Sequence, residues 1–133
     1  MKTELLRRSK SDIEKAGALL RAGQVVGIPT ETVYGLGADA TDKNAAKKIY
    51  AAKGRPSDNP LIVHISDISQ WAPLVKEIPE SALALADKYW PGPLTVILPK
   101  SEIVPEKVSG GLSTVAVRMP SDKIARAIIE KSG

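Results

Sequence analysis

Four apolar runs of five or six residues constrain this chain more than any other feature. "QVVGI" (24–28), "LIVHI" (61–65), "LTVIL" (94–98) and "TVAVRM" (114–119) have the length and composition of strands. Segments with helical spacing lie between them. Ser11 and Glu14 have the form of a capping box, Ile13, Ala16, Leu19 and Leu20 follow at helical spacing, and Gly23 supplies a stop. Thr41 or Asp42 caps a second helix through Ala52, with Ala45, Ala46, Ile49 and Tyr50 on its buried side. Gly54 ends that helix and Pro56 forbids its return. A short helix around Ile68–Val75, one opening at Pro79, and a last one capped by Ser121 and ending near Lys131 complete the pattern. Between the second and last helices, "PGP" (91–93) and the Gly110-Gly111 loop punctuate the chain. Strands alternating with helices predict an α/β fold, one domain over 1–133, with a partly parallel sheet. In such sheets the loops beyond the strand ends are the usual place for ligands.

Composition limits the chemistry. An apolar share of 43% supports a globular core, and without Phe that core must come from Val, Ile, Leu and Ala. Two Trp and three Tyr leave little for an aromatic platform that stacks bases. With no Cys and one His, thiol catalysis, disulfides and cysteine-based zinc sites are excluded. No apolar run approaches the ~20 residues that span a bilayer, and the start lacks a signal-peptide core, so a soluble cytoplasmic protein is expected. The net charge is +4. Residues 1–66 hold 11 Lys/Arg against 7 Asp/Glu, and residues 67–133 hold 8 against 8, so the whole excess lies in the first half. That distribution suits a polyanion such as a nucleotide or RNA, and equally a soluble surface.

Polar residues gather in the connections. In "PTETVYGLG" (29–37), Thr30 and Thr32 offer hydroxyls, while Gly35 and Gly37 allow close backbone approach. The spacing matches neither the phosphate loop nor the dinucleotide fingerprint, and turn chemistry explains it as well as a ligand does. In "KGRPSDNP" (53–60), Lys53 and Arg55 flank a helix-ending Gly. Opposition to the helix dipole accounts for Lys53 but not for Arg55, whose guanidinium with a nearby ammonium suits phosphate or carboxylate oxygens. Asp58 and Asn59 read first as turn residues, with Asn59 also able to bond a ligand. His64 shares a strand face with Ile62 and Ser66, opposite Leu61, Val63 and Ile65. Thr114, Ala116 and Arg118 share a face, opposite Val115 and Val117. An Arg inside an apolar strand needs an anionic partner, either an internal Asp or Glu or a bound carboxylate. No nucleophile is evident. The available groups position anions and stabilise charge.

Together, "PTETVYGLG", "KGRP…NPL…H", "WPGPLTVIL" and "STVAVRMP" resemble the threonylcarbamoyl-AMP synthase (YrdC-like) family, over about Gly23 to Pro120. The resemblance implies a twisted, open mixed sheet with flanking helices around a concave, positively charged cavity. It implies a nucleotidyltransferase that makes threonylcarbamoyl-AMP from L-threonine, bicarbonate or CO2, and ATP with Mg²⁺ as the substrate complex, and holds no prosthetic group. The product feeds tRNA processing through a downstream threonylcarbamoyl transferase complex, giving threonylcarbamoyladenosine in tRNA. Carried over by motif, Lys53 and Arg55 are catalytic. Arg55, Asn59 and Thr114 bind the nucleotide, and Thr32, His64 and Arg118 bind L-threonine; no residue binds a metal. Family members continue into a further strand and a Ser-x-Asn motif, so the resemblance also implies a C-terminally incomplete domain. The runner-up is a non-catalytic module that binds double-stranded RNA or tRNA through the same basic cavity.

Overall fold

The computed structural model describes residues 4–7, 9–29, 34–53 and 60–132. Helix α1 (Lys10–Arg21) leads to a hairpin of β1 (Val26–Pro29) and β2 (Tyr34–Gly37), followed by α2 (Lys43–Lys53) and β3 (Ile62–His64). Then come two 3-10 turns (Ile68–Gln70 and Ala72–Leu74), α3 (Glu80–Tyr89), β4 (Thr95–Pro99), α4 (Glu106–Ser109), β5 (Thr114–Arg118) and α5 (Lys123–Ser132). The expected α/β class and mixed sheet are present. β5 lies at the centre of a three-stranded sheet, parallel to β3 and antiparallel to β4. β1 and β2 form a separate antiparallel pair. No helix among the described residues is long and apolar enough to cross a membrane.

Several boundaries depart from the sequence expectation for local reasons. The first helix is capped by Ser9, whose extended backbone lets its hydroxyl accept the Asp12 amide, so Ser11 sits within the first turn. At α5 the cap is Asp122 rather than Ser121, its carboxylate accepting the amides of Ile124 and Ala125. Asp42 does the same for Asn44 and Ala45 at α2. The helix expected over Ile68–Val75 resolves into two 3-10 turns, because Pro73 has no amide to extend an α-helical ladder. The first turn is capped by Asp67, which accepts from the Ser69 side chain and amide; these bonds hold its carboxyl below the usual range. β2 falls in a segment read from sequence as a loop. Its glycines weaken strand propensity, and Gly37 sits close against the Ile28 side chain of β1. Short α4 also went unread, and it ends on Gly110 with φ of 63°, a left-handed C-cap. The expected stops Gly54 and Pro56 lie outside the described residues.

One face of the three-stranded sheet carries the main core. Val63, Val96, Val115 and Val117 point inward and meet Trp71, Leu74, Ala82, Ala86, Trp90 and Val108. Val117, on the central strand, is wholly buried. The absence of Phe is offset by two indoles, with ring centroids 4.6 Å apart and planes inclined at 57°. Trp90 Nε1–H donates to the Leu94 carbonyl at 2.8 Å, whereas Trp71 Nε1–H is buried with no acceptor among the described residues. A second cluster of Ala16, Leu20 and Ile128, joined by Ile13, Val26, Ile28 and Ile124, ties α1 and α5 to β1. These helices touch at Gly17, where a Cβ would come within 2.5 Å of Lys131 Cβ and 2.9 Å of its carbonyl oxygen.

Two stability measurements test this packing. In chemical denaturation, Trp90→Phe costs about 1 kcal/mol more than Trp71→Phe, because only the former breaks an indole hydrogen bond. Gly17→Ala forces α5 away from α1 and lowers unfolding free energy by about 1–3 kcal/mol. Equal losses in the Trp pair, or an unchanged Gly17→Ala protein, contradict the packing described.

Candidate functional site

Alternation along β3, β4 and β5 sends their other side chains to the opposite face of the sheet, and strand register sets those residues in rows. His64 stands opposite Arg118 in the parallel pair, and Arg118 stands opposite Thr95 in the antiparallel pair. The three residues therefore lie abreast, His64 and Thr95 separated by two strand spacings, or about 10 Å. One row away Ile62, Ala116 and Ile97 form an apolar stripe, with Ile62 40% and Ile97 64% exposed. Thr114 follows opposite Pro99, four residues or about 13 Å along β5 from Arg118. This face thus carries a cation at one end, a hydroxyl at the other, and apolar surface between.

Arg118 is half-buried, and its guanidinium has a neutral partner. Nε–H donates to Thr95 Oγ1 at 2.9 Å and Nη2–H donates to the same oxygen at 2.7 Å. Among the described residues no carboxylate pairs with it; the ion pair found there is the peripheral Lys15–Glu4 contact at 2.5 Å. An internal Asp or Glu partner, one of the two options open from sequence, is therefore not observed among these residues. His64 is half-buried, and its Nδ1–H donates to the Ile62 carbonyl at 3.1 Å. A carbonyl only accepts, so in this bond Nδ1 carries a proton.

The "WPGP" turn sets Thr95 in place. Gly92 donates its amide to the Met119 carbonyl at 2.8 Å, fastening the turn beside the end of β5. A Cβ on Gly92 would lie 2.6 Å from the Tyr89 carbonyl oxygen, so the close approach requires glycine. The Trp90–Pro91 bond is cis, and the Trp90 indole bond to Leu94 fixes the chain just before β4. β4 then starts with Thr95 level with Arg118.

A cleft of about 590 Å³ opens between the hairpin, α2, β3 and α5, with Ile28, Leu36, Ala46, Leu61 and Ile129 on its walls. His64 lines it, while Arg118 and Thr114 lie outside its walls. Lys53 is the last residue of α2. Thr32, Arg55 and Asn59 lie outside the described residues, so the structure brings together His64 and Arg118, with Thr114 farther along the same face. Thr95 was missed from sequence. Its signal was a lone polar residue among the apolar ones of "LTVIL", but only cross-strand register gives it meaning. No group of three or more potential metal ligands occurs among the described residues.

The threonylcarbamoyl-AMP synthase of Pyrococcus abyssi is 59% identical over 120 residues, which are 90% of this chain and 35% of that protein. The Bacillus subtilis threonylcarbamoyl-AMP synthase is 54% identical over 132 residues, 98% of this chain and 38% of its length. The chain thus spans little more than a third of these relatives. A crystal structure of P. abyssi Sua5 complexed with L-threonine superposes with a TM-score of 0.94 at 54% identity, covering 98% of this chain and 39% of that one. Escherichia coli YciO superposes at 0.82 with 28% identity, over 96% of this chain and 62% of its own. The Sua5, YciO and YrdC family model, described as "Telomere recombination", matches residues 18–133, and the chain belongs to that family.

Proposed function

We propose that this chain contributes the amino-acid side, and part of the nucleotide side, of a threonylcarbamoyl-AMP synthase. The carrying observation is Arg118: a half-buried guanidinium on an open sheet face, held by one hydroxyl and facing no described carboxylate. Such a group suits a bound carboxylate. The relatives' name and the L-threonine in the similar Sua5 structure agree with threonine as its source.

In this reading the threonine amine and bicarbonate condense with loss of water to an N-carboxy anion. One of its carbamate oxygens attacks the α-phosphorus of ATP, the bond to the bridging oxygen breaks, and pyrophosphate leaves. Arg118 holds the α-carboxylate, so the carbamate rather than the amino-acid carboxylate reaches phosphorus. His64, abreast of Arg118, and Thr32 take the remaining polar groups of threonine. Thr114, about 13 Å along β5, serves the nucleotide with Arg55 and Asn59. Lys53 and Arg55 offset charge that develops between carbamate and phosphate. Mg²⁺ arrives with the ATP phosphates as part of the substrate. Orientation and electrostatics do the catalytic work, in keeping with a site that offers no nucleophile. The product passes to a transferase that modifies tRNA, in the cytoplasm.

The test is to supply Mg-ATP, bicarbonate and L-threonine and follow threonylcarbamoyl-AMP by mass spectrometry. Arg118→Ala is expected to weaken threonine use about 30-fold or more, by removing a hydrogen-bonded charge from its partner, while ATP binding changes little. Equal threonine use by wild type and variant refutes the assignment. A non-catalytic RNA module would instead lose affinity for RNA steeply with salt and ignore L-threonine.

A further inference from the structure

We infer that Thr95 is a positioning residue: by engaging one side of the Arg118 guanidinium it presents the opposite, terminal edge to a carboxylate. This rests on the threonine-carboxylate reading of Arg118 given above.

The hydrogen-bond inventory carries the inference. A guanidinium has five N–H donors, one on Nε and two on each terminal nitrogen. Thr95 Oγ1 takes the Nε–H and one Nη2–H, at 2.9 and 2.7 Å. That leaves both Nη1 protons and one on Nη2. An adjacent Nη1–H and Nη2–H form the parallel pair that matches a planar two-oxygen anion. A hydroxyl oxygen has two acceptor sites, and both are used here, so Thr95 is saturated as an acceptor by this one side chain.

The backbone supports the same arrangement. Thr95 opens β4 one residue after the "WPGP" turn, whose Gly92 amide is tied to Met119 next to Arg118. The acceptor is thus fixed to the strand pair that carries the arginine. An unanchored arginine gives up side-chain freedom when a ligand orders it, so an anchored one binds more tightly. The neutral partner also matters. A carboxylate at position 95 would hold the side chain equally well but cancel the charge that an incoming anion needs.

Two readouts on the protein, with retained fold checked by circular dichroism, test the inference. The first is the Arg118 Nε–H signal in ¹H–¹⁵N spectra, which reports the Thr95 bond without any ligand. The second is the dissociation constant for L-threonine by calorimetry. Thr95→Val keeps the side-chain shape and deletes the acceptor; it is expected to abolish the slowly exchanging Nε–H signal and weaken L-threonine about 10-fold. Thr95→Ser is expected to restore the signal and bring affinity within about twofold of wild type. In an Arg118→Lys background, Thr95→Val should change affinity less than about twofold, since an ammonium has no side edge to hold. An unchanged Nε–H signal or unchanged affinity in Thr95→Val overturns the positioning role. If the signal responds as expected but no form binds L-threonine, the threonine reading fails, and the carboxylate assigned to that edge fails with it.

Discussion

Strand β5 is the constraint on which the other features depend. It is the only strand among those described that is paired on both sides of the three-stranded sheet, and its alternation serves two purposes. Val115 and Val117 enter the core at 2% and 0% exposure, while Thr114, Ala116 and Arg118 remain on the opposite face. A side chain as costly to bury as Arg118 is tolerated because its strand is held from behind by apolar contacts and its head meets a hydroxyl. The core therefore fixes where the cation stands. A one-residue slip would reverse the faces, sending Arg118 into the cluster around Trp71 and exposing Val117.

That register is enforced from both neighbours. Parallel pairing to β3 puts His64 beside Arg118, and the Leu61 amide bonded to the Val108 carbonyl ties the entry to β3 to α4. Antiparallel pairing to β4 puts Thr95 on the other flank, with the "WPGP" turn fastened across the end of β5. The second cluster, where α1 packs on α5 through Gly17, has no member in this row. It holds the hairpin end of the fold, whose residues wall the cleft that His64 lines. The site is thus assembled from elements that belong to different hydrophobic clusters, with His64 where the cleft meets the polar row.

Much of this was legible before any coordinates. The alternation of Leu61–Ile65 and Thr114–Arg118 separated Val63, Val115 and Val117 from the face that carries His64 and Arg118, because successive strand residues point to opposite sides. Ala45, Ala46, Ile49 and Tyr50 fell on the buried side of α2 for the analogous helical reason. The misreadings are equally specific. The "YGLG" strand was hidden because its two glycines lower strand propensity. Ser11 and Ser121 were taken as caps where Ser9 and Asp122 cap, because neighbouring residues with suitable side chains compete and only backbone geometry selects among them.

The family motifs and most of the longer segments followed from residue order alone, since periodicity, turn residues and charge placement are local properties. What only the tertiary structure decided was which distant residues became neighbours. Thr95 is 23 positions from Arg118 and is marked in the sequence only as the polar residue of "LTVIL", yet two Arg118 donors end on its oxygen. Whether the arginine met an internal acid or a neutral hydroxyl depended on that pairing. Hydrogen-bond register between strands is a long-range quantity, and no pattern within either strand encodes it.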